Sequence, residues 1–169
     1  MEHNEAFREA MARMAGAVTI LTASEHGVPC GLTATAVCSL STTPTSIVAC
    51  INAGASAHDT IVRTGSFGVN LLAPGQAHIA RRFAGQDGIK GAARFEGSQW
   101  TAGDTGVPLL VGAAAALDCR IVQRVDGFSH SILIGVVEAV LLCDDDTPSC
   151  LIWHGRSFRQ PGDLVLAAS

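Results

Sequence analysis

The sequence predicts a mainly β fold, an antiparallel barrel with a few short helices packed outside it. Three observations carry this prediction. About seven stretches alternate, or run apolar, over strand-like lengths, while only two or three keep helical spacing. Helical segments do not separate the strands regularly, which excludes a doubly wound parallel sheet. Turn signals at Glu25-His26-Gly27, Thr43-Pro44 and Asp126-Gly127 fall between the strand-like runs.

The elements follow in order. Residues 4–15 form a helix, because Phe7, Ala10, Met11 and Met14 fall at i, i+3, i+4 and i+7, with Asn4 to cap it and Gly16 to end it. Strands follow at 18–23, 30–40 and 46–52. Ser56-Ala57-His58-Asp59 has the S-x-x-D form of a capping box and predicts a short helix to Thr64, stopped by Gly65. Residues 67–72 form a strand, and 76–83 a helix between Pro74-Gly75 and Gly85. The stretch 85–108 holds six glycines and few aliphatic residues, and reads as one long ordered loop. Three strands at 109–112, 115–125 and 132–143 come next, the last two joined by an Asp126-Gly127 turn. Asp144-Asp145-Asp146 reads as a solvated acidic turn. Residues 151–153 make a last short strand ahead of Arg156, Phe158 and Arg159.

A chain of 169 residues fits one domain, 1–169, with a sizeable core. Apolar residues make up 48% and charged residues 15%, so the surface is thinly charged and a homodimer is expected. One lysine, ten scattered arginines and a net charge of −4 exclude a nucleic-acid partner. Glu2, Glu5 and Glu9 do not suit a signal peptide, no window is apolar enough to cross a membrane, and the expected compartment is the cytoplasm. Six cysteines without a C-x-x-C pair read as reduced thiols rather than a metal site.

Familiar catalytic signatures are missing. There is no G-x-G-x-x-G, no P-loop, no G-x-S-x-G elbow and no recognisable carboxylate pair, so an enzyme built on this chain would rely on a cofactor for the hard chemistry. The unusual stretch is 31–39. Leu32, Ala34, Ala36 and Cys38 share one face of a strand, and Thr33, Thr35, Val37 and Ser39 the other. Such small side chains either pack closely on a neighbour or leave room for a flat ligand. Ser56, at a helix start, suits a phosphate or a plain cap. His130, heading an apolar strand, suits a structural or a catalytic role.

The order Gly31-Leu-Thr-Ala-Thr-Ala-Val-Cys-Ser39, Pro44, Asn52, Ser56-x-His58 and Phe67-Gly-Val-Asn-Leu-Leu72 resembles the short-chain flavin reductases of two-component flavin-dependent monooxygenases. Phe83, Phe95, Gly106-Val-Pro-Leu109, Ala115-Ala-Leu-Asp-Cys119 and Gly127-x-x-His130-Ser-Ile continue it, over about residues 8–159. The resemblance implies a homodimeric split β-barrel of the Greek-key, FMN-binding type, with FMN or FAD near the subunit interface. It implies NADH or NADPH as hydride donor and a separate monooxygenase receiving the reduced flavin. By resemblance, Thr33, Ala34, Thr35, Ala36 and Ser39 line the isoalloxazine, while Asn52, Ser56 and His58 meet the ribityl chain and phosphate. Phe83 lies close to the flavin, and His130 is the catalytic candidate beside the nicotinamide. Two segments depart from the common pattern: Trp153 to Phe158 lacks tyrosine, and Gly127-Phe128-Ser129 replaces a Gly-Asp before His130. Two other readings are electron transfer to an acceptor such as a cobalt corrinoid or ferric complex, and a non-catalytic flavin carrier.

Overall fold

In the computed structural model, which describes residues 2–144 and 149–162, helix α1 (His3–Ala12) leads into β1 (Gly16–Ala17), β2 (Thr19–Glu25) and β3 (Val28–Ala34). Strands β4 (Val37–Thr42) and β5 (Thr45–Asn52), helix α2 (His58–Thr64) and strand β6 (Ser66–Leu71) follow. A 3-10 turn at Pro74–Gln76 opens α3 (Ala77–Phe83), and another spans Gly91–Phe95. The remaining strands are β7 (Trp100–Ala102), β8 (Pro108–Leu110), β9 (Ala115–Gly127), β10 (His130–Leu142), β11 (Ile152–His154) and β12 (Ser157–Arg159).

Seven strands form one antiparallel sheet in the order β3-β2-β6-β9-β10-β5-β4. Its inner face follows the period-two pattern: Ile47, Ala49 and Ile51 of β5 point inward with Leu133 of β10, Leu21 of β2 and Phe67 of β6. Gly135 is bare because an added Cβ would stand 2.8 Å from the Phe67 ring. Asn70, fully buried, donates to the Ile20 carbonyl and accepts from the Leu110 N–H at 2.6 Å, tying β8 to the sheet.

The barrel is split rather than closed. Its two edge strands, β3 and β4, are consecutive pieces of one run of chain that parts at Thr35 and Ala36, so the sheet curls round without the edges pairing. The expected strand over 30–40 is therefore two strands, and the alternation across 31–39 breaks at its centre.

Other expectations shift for local reasons. Helix α1 starts after Glu2 and ends at Arg13 in right-handed geometry, so neither Asn4 nor Gly16 caps it, and its apolar side is not buried in this chain. Gly16 instead opens β1, where a Cβ would come within 3.1 Å of Thr35. The β9–β10 turn is Phe128-Ser129, not Asp126-Gly127: the ladder runs on until His130 pairs with Gly127, and Phe128 takes φ 54°. The stretch 85–108 contains a 3-10 turn and the first strand of the β7–β8 hairpin, and β12 pairs with β11. Of the acidic turn, Asp145 and Asp146 lie outside the described residues.

Candidate flavin site

The parting of β3 and β4 opens a cavity of about 370 Å³. One wall is Leu32, Thr33, Ala34, Thr35 and Ala36, another is Cys50, Asn52 and Ala55, and His130, Phe83 and Ala84 complete it. Seven of the ten expected site residues meet here. A larger hollow of about 460 Å³ near Leu110 and Leu142 is lined mainly by aliphatic side chains, with Cys143 and Asp144 at one side, and takes in none of the expected site residues.

At the parting, the N–H groups of Thr35 and Ala36 have no hydrogen-bond partner among the described residues, while the Ala36 carbonyl accepts from Cys50 N–H at 2.9 Å. Two free backbone donors beside methyl-sized side chains suit a planar, apolar ring system with acceptors along one edge. This chemistry fits a flavin. The Thr33 hydroxyl, in contrast, is committed to the Ala80 carbonyl of α3 at 2.7 Å, so Thr33 offers its position rather than its hydrogen bond.

The floor is aromatic. Phe83 is 2% exposed and lies under Gly31, where a Cβ would stand 2.8 Å from both the ring and the Leu21 carbonyl. Phe95 meets Phe83 edge-on at 5.0 Å between centroids, and Trp100 lies 4.8 Å from Phe95. Arg94 locks the loop beneath by donating to the Ile89 carbonyl at 2.9 Å and to the carbonyls of Gly31 and Phe83 at 3.4 Å. Phe83 thus supports the strand from below and also lines the cavity.

The rim is polar. Asn52 Oδ1 accepts the Gly54 N–H at 2.8 Å, shaping the turn into α2 and leaving its amide NH₂ uncommitted. His130 is exposed; one ring nitrogen, Nδ1, sits 2.9 Å from Ser129 Oγ, and Nε2 has no partner among the described residues.

Three expected residues stand apart. Ser39 sits on β4 beyond the parting, exposed and opposite Ile47. Ser56 lies exposed in the turn before α2, whose N-cap is Ala57 with no side-chain bond, so the capping box does not form. The His58 ring turns inward to Ser131 and Asp59. Sequence reasoning missed Leu32, Cys50, Ala55 and Ala84. Cys50 had a signal, since it lies two residues before Asn52 and shares its face of β5. Ala55 and Ala84 carry none beyond small size. Among the described residues no His/Cys/Asp/Glu cluster could hold a metal ion, and no helix is long and apolar enough to cross a membrane.

Comparison with known proteins agrees with this geometry. The flavin reductase like domain matches residues 11–162. The chain is similar to the FMN reductase (NADH) RutF 2 of Methylorubrum extorquens, 40% identical over 154 residues, covering 91% of this chain and 87% of that one. It is 37% identical over 153 residues to the 4-hydroxyphenylacetate 3-monooxygenase reductase component of Salmonella typhimurium, covering 90% of this chain and 89% of that one. The solved NADH:FAD oxidoreductase SgcE6 of Streptomyces globisporus superposes with TM-score 0.86 at 26% identity, covering 99% of this chain and 92% of that one. The split sheet, the small-walled cavity at its parting and these matches place the chain in the flavin reductase like domain family.

Proposed function

We propose that this chain, acting as a single domain, is an NAD(P)H-dependent flavin reductase that supplies reduced flavin to a separate monooxygenase. The observation that carries the reading is the cavity at the β3–β4 parting, where Ala34, Thr35 and Ala36, the last two with N–H groups unpaired among the described residues, line the same space as His130. A flavin bound here would supply the redox chemistry, with a nicotinamide as the hydride donor. The protein's own contribution is positional. Ala34, Thr35 and Ala36 hold the ring system and supply donors for charge on the reduced form. Asn52 and Ala55 would border the flavin's side chain, and His130, on the same cavity, would meet the nicotinamide. Ser39, Ser56 and His58 are not assigned to the flavin. The relative from Methylorubrum extorquens is named for FMN and NADH, which supports FMN as the flavin and NADH as the donor.

The homodimer is part of the same proposal. On the outer face of the sheet, register places Val125, Ile132 and Cys50 in one row and Ile134, Val48 and Cys38 in the next. Val125 and Ile132 are exposed, as are Phe7 and Met11 on α1 and Met14 just after it, and a second copy covering such apolar surface is the economical solution. Sedimentation of the purified protein should give twice the chain mass; a monomer at all concentrations opposes the dimer. All six cysteines are free thiols, which supports action in the reducing cytoplasm.

Mixing the protein with NADH and excess FMN tests the activity. Steady NADH oxidation, many turnovers per chain and dependent on FMN, is the expected result. Oxidation that stops at one equivalent per chain supports the electron-carrier reading instead.

A further inference from the structure

We propose that His58 is a positioning residue, which laces the turn into α2 to the start of β10 and thereby fixes His130 across the flavin cavity. His58 is 8% exposed and does not line the cavity. Its Nε2 lies 2.9 Å from Ser131 Oγ, a contact spanning 73 residues of sequence. Ser131 is 2% exposed and donates to Asp126 Oδ1 at 2.8 Å, and Arg124 donates to Asp126 Oδ2 at 2.7 Å.

Hydrogen-bond chemistry sets the direction of this relay. The Asp126 carboxyl is held below the usual carboxylate range, first by the Ser131 hydroxyl and then by Arg124, so it can only accept. The Ser131 proton is therefore spent on Asp126, and Ser131 Oγ accepts N–H from His58 Nε2. The other ring nitrogen, Nδ1, lies 2.8 Å from Asp59 Oδ1, which can also only accept, so both contacts are hydrogen bonds in the ring that carries a proton on each nitrogen. His58 does not line the cavity, so the role of the relay is mechanical.

The consequence falls on His130. The neighbour on one side, Ser131, is tied through its side chain to His58, and the neighbour on the other, Ser129, accepts the Ala53 N–H at 2.9 Å through its carbonyl. Both ties end in the segment 53–58, whose Ala55 lines the opposite side of the cavity. These ties add to the backbone ladder, which pairs His130 with Asn52 of β5 and Gly127 of β9. Losing the His58 tie leaves the ladder end and the Ala53 bond alone to fix the Phe128-Ser129 tip and His130. An error of an ångström there is costly to a reaction that depends on alignment.

The catalytic consequence rests on the flavin-reductase reading, whereas the lacing itself does not. His58→Ala, Ser131→Ala, the double variant and His58→Gln test both. Under saturating FMN, each single alanine variant should lower kcat about tenfold, the scale of a lost buried hydrogen bond, with KM for FMN near wild type. The double variant should cost no more than Ser131→Ala alone, because without Ser131 the His58 ring has no tie to β10 left to lose. His58→Gln, which keeps an N–H at the Nε2 position, should recover most of kcat. Amide exchange at Ala53 should rise about tenfold in both alanine variants and stay slow at Leu133 in the core. Unchanged kcat, a glutamine variant as slow as the alanine one, or unchanged exchange at Ala53 overturns the proposal. If the wild type itself oxidises no NADH with FMN, the functional reading fails, and the Ala53 exchange still decides the lacing.

Discussion

The floor and the rim of the cavity are built in opposite ways. Below β3, Gly31 lies on the Phe83 ring, Phe83 meets Phe95, and Arg94 ties three carbonyls together in a sealed layer. Around the rim, Thr35, Ala36, Asn52 and His130 are exposed, and Asn52 and His130 bond chiefly to near neighbours. The floor sets the cavity's shape through packing, which is collective and expensive to disturb. The rim sets its chemistry through single groups that stability scarcely notices. Damage to the floor should therefore appear as lost folding free energy, and damage to the rim as lost binding or turnover.

Phe83→Ala is the strongest challenge to that division. It empties the centre of the floor and should cost about 3–5 kcal/mol in urea unfolding, with flavin binding falling alongside. A cost no greater than that of an exposed substitution would mean the floor is not sealed. Gly31→Ala should cost about 1–3 kcal/mol, because the added Cβ meets both the Leu21 carbonyl and the Phe83 ring. At the rim, His130→Ala should leave stability within about 0.5 kcal/mol of wild type, yet raise KM for NADH or slow hydride transfer. Loss of stability comparable to that of Phe83→Ala would erase the contrast.

The smallest effect at neutral pH concerns Cys119 beneath the sheet. Burial, with Asp118 and Glu138 nearby, pushes its thiol up to about 12 from 9.0. A folded value above the unfolded one favours the fold fully below pH 9.0, and that contribution is lost as pH rises through about 12. Replacing Cys119 with alanine should flatten the fall in stability across this alkaline range, and equal slopes would show that the thiol does not titrate in the fold.

The sequence carried the β character, the antiparallel order and most of the cavity, because period-two patterns and small residues at 33–36 are local signals. It could not show that the Thr33 hydroxyl is taken by Ala80, 47 residues away, or that His58 turns toward Ser131 instead of a phosphate. Both depend on tertiary partners. The Asp126-Gly127 turn misled for a related reason: strand pairing extends past Gly127, and Phe128 accepts the left-handed conformation that a glycine would adopt more easily. The three-residue strands β7 and β12 are too short to show a period at all. The parting at Thr35 and Ala36 was hidden because alternation in sequence continues smoothly across it, while the backbone changes partner from β2 to β5.

The central claim is that flavin occupies this parting. Titrating FMN into the wild type and into Ala36→Leu, with unfolding measured on both, tests it directly. The larger side chain should weaken FMN affinity at least about tenfold while stability stays near wild type, since Ala36 is exposed at the rim. Unchanged affinity in a folded Ala36→Leu protein would place the flavin elsewhere and contradict the account.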